Sequence, residues 1–266
     1  MTSLGRVLII AGSDSGGGAG IQADIKTVTA LGGYAATAIT AITVQNTLGV
    51  SAVHPMPPTM VEAQARAVLD DIGADVIKTG MLGDGAMVRA VAALLETAWI
   101  PAVIDPVMVA KGGARLLDGD ALAMVRELLV SRAALLTPNA PEAAALTGLT
   151  VATTDDLRRA GEALLALGAG AVLMKGGHIP GDRVVDVLMT SYGETALEGE
   201  RIATRHTHGT GCTLASACAT GLAQGLSLEA AATRAWDYVH RAMVSAPGFG
   251  AGHGPLDHGW PLRGRA

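Results

Sequence analysis

Phenylalanine occurs once in the 266 residues, and aromatic residues together make up only 3% of a chain that is 50% hydrophobic. The core must therefore be built of Ala, Val, Leu, Ile and Met, the composition of helices packed on a parallel sheet. Cysteine is equally scarce. Cys212 and Cys218 are the only two; six residues apart on one expected helix, they lie roughly 240° apart around its axis and do not pair. With no CxxC, no HExxH and no second Cys/His cluster, the chain carries no zinc-binding pattern. Basic residues are outnumbered, 19 Lys and Arg against 24 Asp and Glu. That balance argues against broad contact with a nucleic-acid backbone, so a bound anion must meet a local site.

Long apolar runs are missing too. The longest uncharged stretch, Thr27 to Val61, is broken by Gly32-Gly33, Gln45-Asn46 and three prolines. Its apolar centre, Tyr34 to Val44, is about half the ~20 residues a membrane-spanning helix needs. The opening MTSLGRVLIIAGSDS has one arginine, a short apolar run and no cleavage signal, so a cytoplasmic protein that contacts no membrane is expected.

What is present is an alternation. Short apolar runs at Val7–Ala11, Ala35–Val44, Val76–Thr79, Ala102–Ile104, Ala134–Leu136 and Ala171–Met174 each end in a loop of unusual composition. Helical patterns separate them at Ile21–Leu31, Val61–Ile72, Met87–Ala98, Ala121–Val130 and Leu157–Leu167, and another covers Leu228–Val244. This is the signature of βαβ units: an α/β fold with a mostly parallel sheet and helices on both faces. Arg183–Thr190 and Thr195–Arg205 lack an intervening helix and flank SYGE, which predicts an antiparallel hairpin at one edge. No linker or repeat divides the chain, so residues 1–266 are expected to form one domain. Ligands should bind where the strand-end loops converge.

Four of those loops bear on chemistry. GSDSGGGAGIQAD (Gly12 to Asp24) follows a strand and opens a helix, and it contains G-x-G-x-x-A at Gly18, Gly20 and Ala23. The acid that would hold a dinucleotide's ribose is missing, because the next strand ends in Gln45-Asn46. A tight turn and a ligand site both remain open here, and Asp24 has an ordinary reading as a dipole partner in a first helical turn. IDPVM places Asp105 at a strand end, where a carboxylate can hold hydrated Mg²⁺. In TPNAPEAAAL, Asn139 and Glu142 have the spacing of a capping box as well as that of a site. Lys175, ending a buried strand before GGH, needs an anion, since an unpaired buried ammonium is costly.

The chain contains no G-x-x-x-x-G-K-[ST], so ATP would be bound without a P-loop. In HTHGTGC the amides of Gly209, Thr210, Gly211 and Cys212 can converge on one anion at a helix N-terminus. Close packing would explain those glycines, but not the flanking Thr-His and Cys-Thr.

Taken together, AGSDSGGGAGIQADIKT, VQNT, KTGMLG, IDPVMVAKGG, LLTPNAPEAAAL, VLMKGGH and THGTGCT resemble, in order and spacing, the hydroxymethylpyrimidine/phosphomethylpyrimidine kinases of thiamine biosynthesis, members of the ribokinase superfamily. The resemblance runs from about Arg6 to His258. It implies a ribokinase-like three-layer sandwich and an enzyme that uses ATP and Mg²⁺ to phosphorylate 4-amino-5-hydroxymethyl-2-methylpyrimidine and then its monophosphate. By resemblance, Gln45 would bind the aminopyrimidine, with Asp24, Gly12 and Met81 completing its pocket. Asp105 and Glu142 would organise Mg²⁺, and Asn139, Lys175 and Thr210 would contact ATP. Gly209, Thr210 and Gly211 would form the anion hole, Lys175 would neutralise phosphate charge, and Cys212 would be the catalytic base. A homodimer is implied as well.

A helix N-terminus and nearby cations can bring a thiol to a pKa of roughly 3.5–7.5, so Cys212 is expected to be largely thiolate at neutral pH. Cys218, about two turns on, is expected to be packing. The pattern departs from the family at Ala114, in AKGGA where AKSGD is expected, and at His206, where Asn is expected. Pyridoxal kinase, a non-catalytic ligand-binding relative and a nicotinamide-dependent oxidoreductase are the competing readings. The missing ribose acid weakens the last, and retention of Lys175, Asp105, Glu142 and Cys212 together weakens the second.

Overall fold

The computed structural model describes residues 4–109, 113, 116, 117 and 119–263; the departure at Ala114 lies outside them. The first apolar run forms strand β1, Arg6–Asp14, longer than the sequence pattern predicts. Its side chains alternate between two apolar layers, Leu8 and Ile10 facing one, Val7, Ile9 and Ala11 the other. Burial on both faces explains why the run is continuously apolar.

The strands that follow are β2 (Tyr34–Asn46), β3 (Gly49–Pro55), β4 (Val76–Thr79), β5 (Ala102–Ile104), β6 (Leu135–Leu136), β7 (Ala171–Met174), β8 (Arg183–Thr190) and β9 (Gly193–Glu200). They form one sheet in the order β3-β2-β1-β4-β5-β6-β7-β8-β9. The block from β2 to β7 is parallel. β8 and β9 form the expected antiparallel hairpin.

The opposite edge differs from expectation. β2 does not stop before QNT but carries Gln45 and Asn46 as its last residues, then reverses into β3, antiparallel to it. The sheet thus has antiparallel strands at both edges. β3 escapes the sequence pattern because it is largely solvent-exposed and ends in Pro55, which only an edge strand tolerates.

Helices α1 (Gly20–Ala30), α7 (Thr210–Ala223) and α8 (Leu228–Val244) cover one face. α2 (Pro58–Asp71), α3 (Gly85–Ala98), α4 (Gly119–Met124), α5 (Ala140–Thr147) and α6 (Thr154–Ala166) cover the other. The expected helix at Ala121–Val130 is α4 followed by a π turn and a 3₁₀ turn ending at Arg132. Cys218 is fully buried in the layer of α1, α7 and α8, as a small apolar residue would be. This three-layer arrangement sets the carboxyl ends of β2, β1, β4, β5, β6 and β7 side by side.

Candidate active site

Asp14, the last residue of β1, organises the first loop. Its carboxylate accepts the amides of Gly16 (2.8 Å), Gly18 (3.0 Å) and Ala19 (2.8 Å), and His208 Nε2 lies 2.8 Å from Oδ2. Burial opposes ionisation, but His208 and these amides outweigh it and hold Asp14 below the usual carboxylate range. The amides that a dinucleotide loop would offer to a pyrophosphate are thus taken up by the chain's own carboxylate. The glycine-rich stretch is a tight turn that also lines a cavity, which reconciles the two readings left open by the sequence.

Asp24 requires a correction. It is neither in the first turn of α1 nor in the cavity wall, but fully buried. Lys78 Nζ donates to both its oxygens, at 2.9 and 2.8 Å, and Ser216 Oγ donates to Oδ1 at 2.7 Å. Burial alone would lower the Lys78 pKa; attraction to Asp24 reverses this and keeps the ammonium charged. Asp24 therefore supports the site from behind rather than touching a pyrimidine.

Gln45, next to last in β2, lies on the same face as buried Thr43, following the two-residue alternation of a strand. A β3 residue is skipped opposite the step from Val44 to Gln45, a bulge of the kind that re-aims side chains at sites. The Gln45 amide lies between Thr43 Oγ1 (3.1 Å) and His208 Nε2 (3.2 Å). Gly12 faces Met81: a methyl group added at Gly12 would stand 3.4 Å from Met81 Cε.

At the other end of the site, Lys175 follows β7 and its Nζ donates to Asp105 Oδ1 at 2.9 Å, with Glu142 Oε2 at 3.7 Å. Asn139 and Glu142 do form the capping box of α5: Glu142 N donates to Asn139 Oδ1 at 2.9 Å, and Asn139 N donates to Glu142 Oε2 at 2.8 Å. The cap and the ion cluster are one structure. Burial, with Asp105 close by, pushes Glu142 up to about 7 although Lys175 pulls it down. Lys175 is lowered by burial but raised further by Asp105 and Glu142, so it stays an ammonium.

The turn before α7 joins the two ends. Gly209, the N-cap, has φ +83°, and a side chain there would overlap the Gly18 carbonyl. Only glycine allows that approach. At Gly211 an added methyl group would stand 3.2 Å from Lys175 Nζ and 3.6 Å from Asp105 Oδ2. The first amides of α7, which have no intrahelical carbonyl to bond, therefore start where the ion cluster ends.

The expected thiolate at Cys212 is not what the fold produces. Burial, aided by Asp24 and Asp105, pushes the thiol up to about 12, while Lys78 and the Gly20 amide draw it down. Burial, the largest cause, outweighs both Lys78 and the helix N-terminus on which the expectation rested, with the two carboxylates adding to it. Among the other expectations, His206 sits where a side chain on Gly254 would collide with its ring, and its Nδ1 is buried without a hydrogen-bond partner.

Gly12, Gln45, Met81, Asp105, Asn139, Glu142, Lys175 and residues 209–212 all line one cavity of about 820 Å³. Asp24 alone among the expected site residues is absent from its wall. The sequence reading passed over Asp14, Lys78 and Ser216, and gave His208 no role beyond noting that close packing does not explain it. For Lys78 a signal existed: it is a lysine inside the apolar strand Val76–Thr79, and the argument applied to Lys175 holds for it as well.

A family model described as phosphomethylpyrimidine kinase matches residues 14–257. A hydroxymethylpyrimidine/phosphomethylpyrimidine kinase of Streptomyces coelicolor is 50% identical over 256 residues, covering 96% of this chain and 95% of that one. The Bacillus subtilis protein of the same description is 45% identical over 258 residues, covering 96% and 95%. Among solved structures, a Bacillus subtilis pyridoxal kinase in an ADP complex superposes with a TM-score of 0.90 at 36% identity, covering 96% and 98%. A phosphomethylpyrimidine kinase of Clostridium difficile gives 0.80 at 38% identity, covering 90% and 99%. With a cavity that carries an ion cluster at one end and a glutamine amide at the other, and with likeness along nearly its whole length, the chain belongs to the phosphomethylpyrimidine kinase family and is a ribokinase-like phosphotransferase.

Proposed function

We propose that this kinase transfers phosphate from ATP to the hydroxymethyl group of 4-amino-5-hydroxymethyl-2-methylpyrimidine, and then phosphorylates the monophosphate, in thiamine biosynthesis. One observation carries the reading: Gln45 and the Lys175–Asp105–Glu142 cluster face the same cavity, with the 209–212 turn between them. A primary amide offers a donor and an acceptor side by side, the complement of an aminopyrimidine's amine and ring nitrogen. The names of the Streptomyces and Bacillus relatives support the same substrate.

Phosphoryl transfer asks chiefly for positioning and charge stabilisation. The amides of Gly209, Thr210 and Gly211 would hold the transferring group, and Lys175 would neutralise charge on it. Asn139 and Thr210 would contact ATP. Cys212 is a neutral thiol in the ligand-free protein, so it would take the hydroxyl proton as a thiolate, its own proton having first left to solvent through the cavity it lines. Mg²⁺ fits the donor set: Asp105 and Glu142 supply two carboxylates at the ion cluster, and Mg²⁺ commonly takes one or two carboxylates with the remainder from water and phosphate. When bound it would offset phosphate charge.

A single domain, a cytoplasmic location and a homodimer complete the proposal. Ile42, Val44, Leu48 and Val53 are exposed on and between β2 and β3, an apolar surface suited to a second copy. No helix among the described residues is long and apolar enough to cross a membrane.

The second reading is pyridoxal kinase, favoured by the TM-score of 0.90 to the Bacillus structure. Mass spectrometry of products from ATP, Mg²⁺ and each vitamin precursor decides between the two. Pyrimidine mono- and diphosphate are expected, with kcat/KM for pyridoxal lower by about ten- to a hundredfold, the worth of one mispaired buried amide group. A preference for pyridoxal, or ADP formed without a phosphorylated pyrimidine, would reject the proposal.

A further inference from the structure

The amide of Gln45 has two possible orientations, related by a half-turn that exchanges its oxygen and nitrogen, and its neighbours decide between them. As placed, Nε2 of the amide lies 3.2 Å from His208 Nε2 and Oε1 lies 3.1 Å from Thr43 Oγ1. His208 Nε2 is also 2.8 Å from Asp14 Oδ2, an oxygen that already accepts the amides of Gly18 and Ala19. A ring nitrogen facing that carboxylate carries its proton and so has no lone pair to accept the Gln45 NH₂, whatever the charge of the ring; only an amide oxygen can share that proton. Thr43 has one hydroxyl proton, and the Ser13 carbonyl takes it at 2.9 Å. Toward Gln45 the Thr43 hydroxyl is therefore an acceptor. Both ends favour the half-turned orientation, with the oxygen of Gln45 toward His208 and its NH₂ toward Thr43.

We propose that His208, held by Asp14, and Thr43 are positioning residues that lock the Gln45 amide in this orientation and so determine which hydrogen-bonding edge of a substrate ring the cavity accepts. The inference rests on the pyrimidine reading above. Each terminus of the amide spends one bond on its neighbour and keeps one for the ligand. On the His208 side the ligand meets an acceptor, and on the Thr43 side a donor.

A 4-aminopyrimidine satisfies both with its amine toward His208 and its N3 toward Thr43. Its C5 hydroxymethyl group is next to the amine and on the side away from N3. The same order therefore lays the reacting hydroxyl on the His208 side, where the chain continues into Gly209 and Cys212. A ring offering the reversed pattern, a carbonyl oxygen beside a protonated ring nitrogen, meets acceptor with acceptor and donor with donor.

The test compares kcat/KM for the amino substrate and for its 4-oxo analogue, 4-oxo-5-hydroxymethyl-2-methylpyrimidine, which carries that reversed pattern in nearly the same volume. The wild type should favour the amino compound by at least tenfold, the scale of one buried group left mispaired. His208→Leu and Thr43→Val each free one end of the amide and should shrink the ratio about tenfold, chiefly through KM. Thr43→Ser, which keeps the hydroxyl, should hold the wild-type ratio and so separate orientation from packing. A wild-type ratio near one, a ratio unmoved in both His208→Leu and Thr43→Val, or equal loss in Thr43→Ser and Thr43→Val would overturn the orientation alone. A wild type that phosphorylates neither pyrimidine would sink the substrate reading and this inference with it.

Discussion

Lys78 and Asp24 form an ion pair with no solvent access, the ammonium 2.8 Å from one carboxylate oxygen and 2.9 Å from the other. The pair ties β4 to α1, and Ser216, one helical turn after Cys212, extends it to α7. Removing one partner leaves a buried uncompensated charge, which costs about 3–5 kcal/mol. Lys78→Met should therefore lower unfolding free energy in urea by that order, and Lys78→Met with Asp24→Asn should recover a large part of it. Additive losses in the double variant would mean the two side chains are not energetically coupled.

The same charge environment bears on Cys212. A thiol pushed up to about 12 reacts slowly with iodoacetamide at pH 7 in the free protein, and the rate should climb with pH, since only the thiolate attacks. Cys212→Ala serves as the blank. A rate already at its plateau by pH 7 would show a standing thiolate. In turnover, Cys212→Ala should reduce kcat by about 10²–10⁴, the usual worth of a general base.

At the other end of the cavity, Lys175→Met should raise KM for ATP and lower kcat by about 10²–10³, because the ammonium is proposed to meet phosphate charge in both ground and transition states. Steady-state kinetics with ATP as the varied substrate reads both effects. Kinetics equal to wild type would confine the lysine to its contacts with Asp105 and Glu142.

Glu142 makes stability depend on pH. Its folded value of about 7 lies above its ordinary 4.5, so the folded state holds the proton more tightly than the unfolded chain does. The contribution is fully present below pH 4.5 and is lost as pH rises through about 7. In the ligand-free protein, Glu142→Gln keeps an acceptor for the Asn139 amide and removes the titrating group. The gap in Tm between pH 5 and pH 8 should narrow in this variant relative to wild type. A gap of the same size and sign in both would remove Glu142 as its cause.

The chain's alternating apolar and helical patterns, with loops of unusual composition at the strand ends, were enough to indicate an α/β sheet with its site at the carboxyl ends of the strands. Hydrophobic periodicity carries that information because a doubly covered strand must be apolar throughout, whereas a covering helix is apolar on one side only. β3 was invisible for the same reason in reverse, since an exposed edge strand has little to bury. Lys175 and Asp105, which line the cavity, stood out in the sequence because a charged group ending a buried strand has few ordinary explanations.

What local sequence could not supply is pairing across the fold. Nothing near Asp24 in the chain reveals that Lys78, 54 residues on, will occupy its carboxylate, and nothing in GTGC reveals that burial will hold its thiol protonated. His208 finds Asp14 across 194 residues. The sequence by itself determined the class of fold, the strand-end motifs and the kinds of group available for catalysis. Tertiary structure alone decided which of those groups meet. That choice set their charge states, because the cost of burying an ionised group depends on the partners brought to it from distant parts of the chain.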